Sequence, residues 1–169
     1  DVADGNDDFN GDGIFGVSVG TTFGGADVRL AYAQNSTTDE DSIGIEASYP
    51  VGPVTLGAYY VIESDEDNAY GISADYASGP ITVGVNYEDT TNGDEDWSIE
   101  GTYDVGNGIM VLAGLTDAGE DYYVAGTVDL GEGSTLGLAY AEDGDADADD
   151  EIGGPEYKNG ATVWVSFAF

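Results

Sequence analysis

Apolar and polar residues alternate along nearly the whole chain, and acidic blocks interrupt this alternation at intervals. A period of two places successive side chains on opposite faces of a β-strand. The alternation therefore predicts eleven strands and no helix. The predicted strands extend over 13–23, 26–34, 42–50, 53–62, 69–77, 80–88, 96–104, 108–116, 121–130, 134–142 and 160–169.

The connections between the predicted strands are of two kinds, which alternate along the chain. Short turns containing Gly or Pro, residues that suit hairpins, occupy 23–26, 50–53, 77–80, 105–108 and 130–134. Acidic blocks occupy 1–12, 35–41, 63–68, 88–96, 116–121 and 142–151. Consecutive hairpins turn at opposite ends of an antiparallel sheet, so long acidic loops are predicted at one end and short turns at the other.

The two faces of the predicted strands differ in composition. One face is aliphatic and uncharged, as in Ile43 and Ile45 or Val163 and Val165. The other face holds small and polar residues with charges in the middle of strands. Its charged and amide members are Asp27, Arg29, Glu46, Asp75, Asn86, Glu100 and Asp129.

Tyrosines end the aliphatic face repeatedly, at both ends of the strands. They are Tyr49, Tyr76 and Tyr103 at the short-turn end and Tyr32, Tyr60, Tyr87 and Tyr140 at the acidic-loop end. Two aromatic girdles around an aliphatic band are typical of a sheet that crosses a bilayer. A soluble sandwich shows the same alternation but places its aromatic rings in the middle of the core. The pattern thus favours an all-β, antiparallel transmembrane barrel.

The composition of the chain excludes several classes of function. The 169 residues include 2 Lys+Arg and 35 Asp+Glu, a net charge of −33, which excludes nucleic acid as a partner because phosphate binding needs cationic side chains. There is no Cys and no His, so thiolate chemistry and the commonest general base are absent. The polar-face carboxylates are dispersed over different strands, and we expect neither enzymatic activity nor a required cofactor.

One short motif resembles the front half of a calcium loop. Asp8, Asn10 and Asp12 alternate as D-x-N-x-D followed by Gly, but position twelve of the loop is Val19 instead of Glu. Two interpretations stay open, a Ca²⁺ site and a solvated acidic loop. The same two interpretations apply to the acidic run 143–151, which could also bind lipopolysaccharide phosphates through bridging cations.

Three segments resemble a known family. The C-terminal ATVWVSFAF of 161–169 ends in Phe169, has Phe167 and valines at alternate positions before it, and looks like the terminal strand of outer-membrane porins. The Gly- and Tyr-rich segments 122–140 and 70–76 resemble hairpins of alphaproteobacterial general porins of the Rhodobacter type. The resemblance covers essentially the whole chain.

This resemblance implies a sixteen-stranded barrel in the outer membrane, commonly a homotrimer in contact with lipid and lipopolysaccharide. It also implies passive diffusion of small hydrophilic solutes through a pore lined by the polar face and narrowed by the third outer loop. Phe167 and Phe169 would be the barrel-assembly signature. Arg29 would face acids of the inward loop in 1–12, or pair with Asp27 or Glu46 on its own face.

The odd number of predicted strands has a structural consequence. Bacterial single-chain barrels have an even number of strands with both termini on the periplasmic side. We therefore expect residues 1–169 to be one barrel domain that lacks five upstream strands, with 1–12 forming an outer loop. The alternatives are a self-contained barrel of ten or twelve strands and, in another class, a soluble, acidic, cation-dependent adhesin-like β-domain.

Overall fold

The computed structural model describes residues 14–37, 39–64, 67–90, 95–144 and 152–168. All eleven predicted strands are present, and no predicted strand end is wrong by more than two residues. The strands are β1 (Ile14–Phe23), β2 (Ala26–Asn35), β3 (Glu40–Val51), β4 (Val54–Glu63), β5 (Ala69–Ser78), β6 (Ile81–Asp89), β7 (Glu95–Gly106), β8 (Ile109–Thr116), β9 (Asp121–Gly131), β10 (Ser134–Glu142) and β11 (Gly160–Phe167).

The strands form one sheet whose order follows the chain from β1 to β11. At one end of the strands, every connection has two residues, as in the Asn107-Gly108 turn, where both residues have positive φ (56° and 77°) and suit a type I′ hairpin. At the other end, the connections are longer and acidic. The predicted difference between the two ends is confirmed.

The chain divides into two compact units, Asp1–Ala74 with Asn86–Glu95 and Asp75–Val85 with Asp96–Phe169. In the first unit, Val17 pairs with Tyr32, and Tyr32 also pairs with Ile43, so one row on this face is entirely apolar. In the second unit, Ile99, Leu115 and Tyr122 form an equivalent row. The register therefore keeps the aliphatic residues on one face of each unit.

The aliphatic face is exposed and not packed as a core. Val19 is 64% exposed in the first unit and Val163 is 67% exposed in the second. The buried apolar cluster of the described residues lies on the opposite face of the second unit. Its members are Tyr123, Ala125, Ala139, Ala141, Ile152 and Tyr157, with Leu112 and Trp164 packed against them.

The described residues form strands and turns without a regular helix, as the alternation predicts, and one connection at the acidic-loop end is a tight turn. Asp117, Ala118 and Gly119, between β8 and β9, all have positive φ (50°, 51° and 88°), and the Glu120 amide donates a 2.8 Å hydrogen bond to the Asp117 carbonyl. The pattern could not indicate this turn because three residues are too few to show a periodicity. Among the described residues, no helix has the length and hydropathy needed to cross a membrane.

Candidate pore-lining face

Arg29 is near the middle of β2 on the polar face. It pairs in register with Gly20 of β1 and with Glu46 of β3. The Arg29 guanidinium donates a 3.4 Å hydrogen bond from Nη2 to Ser18 Oγ. The register thus places Arg29 opposite Glu46 on the adjacent strand, and both sequence interpretations of Arg29 stay predictions.

An open cleft of about 400 Å³ surrounds Arg29. Polar residues of three strands line it, including Asp27 and Glu46. Thr22 Oγ1 donates a 2.6 Å hydrogen bond to Asp27 Oδ1, which orients this carboxylate at the short-turn end of the cleft. The cleft is therefore a solvent-exposed region that holds two acids and one base.

A Tyr–Gly–Glu arrangement spans three strands of the first unit. Tyr59 of β4 extends over Gly71 of β5, and its hydroxyl donates a 3.0 Å hydrogen bond to Glu88 Oε2 on β6. A Cβ atom at Gly71 would clash with the Tyr59 ring. The absence of a side chain at Gly71 is thus what lets the ring lie across the sheet.

The second unit repeats this arrangement with the strands in reverse order. Tyr123 of β9 extends over Gly114 of β8, and its hydroxyl donates a 2.5 Å hydrogen bond to Glu100 Oε2 on β7. Gly114 pairs in register with both Glu100 and Tyr123. The predicted pore-lining residue Glu100 is consequently held by Tyr123, an aromatic partner on a non-adjacent strand that the alternation of residues alone does not indicate.

Part of the β10–β11 connection folds onto this same face. Ile152 and Tyr157 form an antiparallel bridge with two backbone hydrogen bonds of 2.8 and 3.0 Å, and we call Ile152–Tyr157 the loop hairpin. Gly153 has a φ of +71°, and a Cβ there would clash with the Tyr123 ring. Glycine is the residue that both adopts this positive φ readily and has no Cβ to clash with the ring.

The loop hairpin is anchored by aromatic packing and by a carboxylate. The Tyr157 ring centroid lies 5.2 Å from that of Tyr123 and 5.7 Å from that of Trp164. The Gly154 amide donates a 3.0 Å hydrogen bond to Glu100 Oε2. Burial raises the pKa of the Tyr157 hydroxyl above its usual 10.0. Glu100 therefore accepts hydrogen bonds from both the sheet and the loop hairpin.

The other predicted polar-face residues lie apart from these clusters. Asp75 Oδ1 lies 3.0 Å from an ideal Cβ position at Gly84, and Asn86 lies on the same face of β6. Asp129 stabilises the β9–β10 turn, because its Oδ1 accepts a 2.7 Å hydrogen bond from the Gly131 amide. The structure thus distributes these three residues along the sheet instead of gathering them into one site.

No group of three or more acidic, His or Cys side chains that could hold a metal occurs within the described ranges. Asp8, Asn10 and Asp12 lie outside those ranges, as does most of the acidic run 143–151. The Ca²⁺ interpretation of both segments stays a prediction.

The girdle tyrosines lie on the exposed aliphatic face. Tyr49, Tyr60, Tyr76, Tyr103 and Tyr140 are exposed, while Tyr32 and Tyr87 are half-buried. At the acidic-loop end, Tyr70 contacts Tyr87 and Tyr122 contacts Tyr140, with ring centroids 6.2 and 6.4 Å apart. Tyr70 and Tyr122 extend the predicted girdle.

The aliphatic face carries a charged residue next to this girdle, at the acidic-loop end of the strands. Glu142 lies on it and accepts hydrogen bonds from Tyr122 and Tyr140 at 2.5 and 3.2 Å. At the end of the chain, Phe167 is exposed on the same face, and Phe169 lies outside the described residues. The charge-free band is therefore confined to the middle of the strands.

The faces and strand lengths together define a class of protein. The strands have 8 to 12 residues, close to the roughly 9–11 that a tilted strand needs to cross a bilayer. An exposed aliphatic face with aromatic ends, opposite a polar Gly-rich face, characterises the wall of a transmembrane β-barrel.

Residues 1–143 match the family model described as Gram-negative porin, and the chain belongs to this family. It is accordingly part of an outer-membrane β-barrel protein. No curated protein matches the sequence.

Solved structures show the same fold. A five-substitution variant of the Rh. blastica porin has a TM-score of 0.68 and 20% identity, and the match covers 94% of this chain and 56% of that one. A two-substitution variant of the same porin has a TM-score of 0.67 and 21% identity, with the same coverage. This chain therefore spans about 56% of the length of the porins it matches.

Proposed function

We propose that the protein forms a water-filled pore for passive diffusion of small hydrophilic solutes and that the pore prefers cations. The observation that carries the proposal is the contrast between the faces: the aliphatic face is exposed, as lipid contact requires, and the opposite face presents acids and hydroxyls. Family membership supports a channel and not an enzyme.

The cation preference rests on the charges of the polar face. Asp27, Glu46, Glu88 and Glu100 are carboxylates on this face, and Arg29 is a basic residue beside the first two. Acidic side chains along a pore raise the local concentration of cations and lower that of anions. The acidic blocks, which contribute to the net charge of −33, extend this negative potential to the acidic-loop end of the strands.

Planar-bilayer recording of the complete protein tests this function. Under a KCl gradient, we expect a reversal potential of the sign that K⁺ permeation produces. A variant combining Asp27→Asn and Glu46→Gln should show a smaller reversal potential. Anion selectivity or absence of channels in the unmodified protein would contradict the proposal.

We also propose that β1 and β11 pair with strands outside this sequence to close a larger barrel, which assembles as a homotrimer in outer-membrane lipid and lipopolysaccharide. The strand order begins with β1 and ends with β11, and an unpaired backbone edge in hydrocarbon costs several kcal/mol per group. Intact mass and the structure of the natural protein test this. Direct hydrogen bonding of 14–23 to 160–167 in a closed barrel would contradict it.

The soluble adhesin-like alternative requires the aliphatic face to be buried instead of exposed. A soluble β-domain buries such a face as its core. Val17, Val19 and Ile72 are exposed, as are Val163 and Val165. These exposures support the pore over the adhesin-like domain, and recovery of the complete protein in buffer without detergent would reverse that preference.

A further inference from the structure

The loop hairpin covers part of the face that we assign to the pore lining. Beneath it, Ala139 and Ala141 of β10 and Ala125 of β9 are buried, although they belong to the polar face. Leu112 of β8 and Trp164 of β11 pack at the sides of the same cluster. A segment from the long acidic connection thus occupies space on the pore side of four consecutive strands.

The contacts that hold the loop hairpin are those of a packed structure. Ile152 is fully buried and Tyr123 is 4% exposed. Glu100, which lies 54 residues before Gly154 in sequence, accepts the Gly154 amide hydrogen bond at 3.0 Å. Burial of aromatic and aliphatic side chains together with a charge-assisted hydrogen bond stabilises one position of the segment.

The outward side of the loop hairpin is polar. Gly154, Pro155 and Glu156 are exposed, and Glu156 adopts a positive φ of 59° in the turn. Ile152 and Tyr157 contact the wall through their side chains and Gly154 contacts it through its amide, whereas Pro155 and Glu156 are exposed. Such a two-sided segment narrows a water-filled passage without presenting an apolar surface to it.

We propose that the loop hairpin Ile152–Tyr157 is a fixed constriction element, which narrows the pore beside β8–β11 and for which Glu100 is the anchoring residue on the wall. This inference rests on the proposed pore function. It assigns to the β10–β11 connection a role in setting the size of hydrophilic solutes that pass. It also gives Glu100 a positioning role, because one of its carboxylate oxygens already accepts two hydrogen bonds.

Cysteine modification tests the location of the loop hairpin in the complete protein. The sequence has no Cys, so Glu156→Cys introduces one reactive thiol at the exposed turn. In bilayers, a sulfonated methanethiosulfonate reagent should lower the single-channel conductance by about 1.5-fold, because the label occupies part of the water-filled cross-section. Glu132→Cys, in the exposed β9–β10 turn, is the control and should show no change on labelling.

Two adjacent glycines test how the loop hairpin is held. Gly153→Ala places a methyl group against the Tyr123 ring at a positive φ, whereas a Cβ at Gly154 would lie 3.4 Å from the nearest Glu100 oxygen, an ordinary contact. Displacement in Gly153→Ala should raise conductance about 1.5-fold, and Gly154→Ala should leave it unchanged.

The outcomes separate this inference from the pore function. Absence of channels in the unmodified protein contradicts the function itself. Normal channels whose conductance is insensitive to labelling at Glu156→Cys overturn the constriction alone. The cysteine test remains decisive even where Gly153→Ala fails to assemble, since Glu156 is exposed and its replacement disturbs no buried contact.

Discussion

The Tyr59 hydroxyl of β4 donates a hydrogen bond to the Glu88 carboxylate of β6 at 3.0 Å and so bridges the whole width of the intervening strand. Tyr123 and Glu100 have the same relationship across β8. In both cases a glycine on the middle strand provides the space for the ring. This arrangement links non-adjacent strands through side chains and adds to the backbone ladder between neighbours.

The glycine beneath Tyr59 should be essential for this bridge. Gly71→Ala forces the ring away from the sheet, and we expect a loss of about 1–3 kcal/mol in the free energy of unfolding because overpacking strains the contact. Urea unfolding of the complete protein in detergent measures it. Gly20→Ala is the matched control, since its Cβ would meet only the Val28 carbonyl oxygen at 3.7 Å. Equal stability of the two variants would contradict the packing argument.

Neighbouring residues of β2 test the assignment of the two faces. Leu30 lies on the exposed aliphatic face and Ala31 on the polar face. Leu30→Arg should destabilise the folded barrel by about 2–4 kcal/mol, the cost of a cation facing lipid near the midplane. Ala31→Arg should be tolerated because water reaches its face. Unfolding in lipid vesicles measures both, and a larger loss for Ala31→Arg would mean that the faces are reversed.

Arg29 should weaken the cation preference of the pore. Its removal leaves Asp27 and Glu46 without the basic residue between them. We expect Arg29→Gln to raise the ratio of K⁺ to Cl⁻ permeability by about twofold, because the carboxylate field is no longer offset. Arg29→Lys keeps the charge and should retain the original ratio. Reversal potentials under a KCl gradient provide the measurement, and an unchanged ratio in Arg29→Gln would place Arg29 away from the ion path.

The loop hairpin should respond to alkaline pH through Tyr157. Burial favours the neutral phenol, so the folded-state pKa lies above the ordinary 10.0. The stabilisation from the buried ring is complete below pH 10.0 and is lost as pH rises through the folded-state value. Tyr123 and Glu100 are titratable groups of the sheet on this side, and the Tyr123 ring packs against Tyr157 while its hydroxyl donates a hydrogen bond to Glu100.

Tyrosinate absorbance measures this shift directly. The difference between the titrations of the unmodified protein and Tyr157→Phe isolates one hydroxyl group. We expect its midpoint above 10.0, together with a rise in conductance over the same pH range. A midpoint at or below 10.0 would mean that the ring is solvated and that the loop hairpin is not packed as described.

Local sequence pattern determined the strands and their connections. Alternation of apolar and polar residues has a range of two residues, and turn residues such as Asn107 and Gly108 act on their own hairpin. Both the alternation and the turn residues can therefore be recognised within a single hairpin, without knowledge of the rest of the fold. They predicted all eleven strands, the two kinds of connection and the polar-face positions of Arg29 and Glu100.

The aromatic bridges over glycine were missed although a signal for them exists. Tyr59, Tyr123 and Trp164 are aromatic residues on a face that consists mainly of small and polar residues. Gly114 pairs with Tyr123, and Gly137 pairs with Trp164, so an aromatic residue opposite a glycine marks each place. Register is needed to recognise the pair, because the two residues belong to different strands.

What the sequence by itself determined is thus the set of strands, their faces and the acidic character of one end. Only the tertiary structure decided that Ile152–Tyr157 folds onto the polar face, because its contacts are with Glu100, Tyr123 and Trp164. Residues 152–157 show neither strand alternation nor a helical period, and their position depends on side chains from strands as distant as β7. Such contacts are absent from local pattern and arise only when the sheet has brought those strands together.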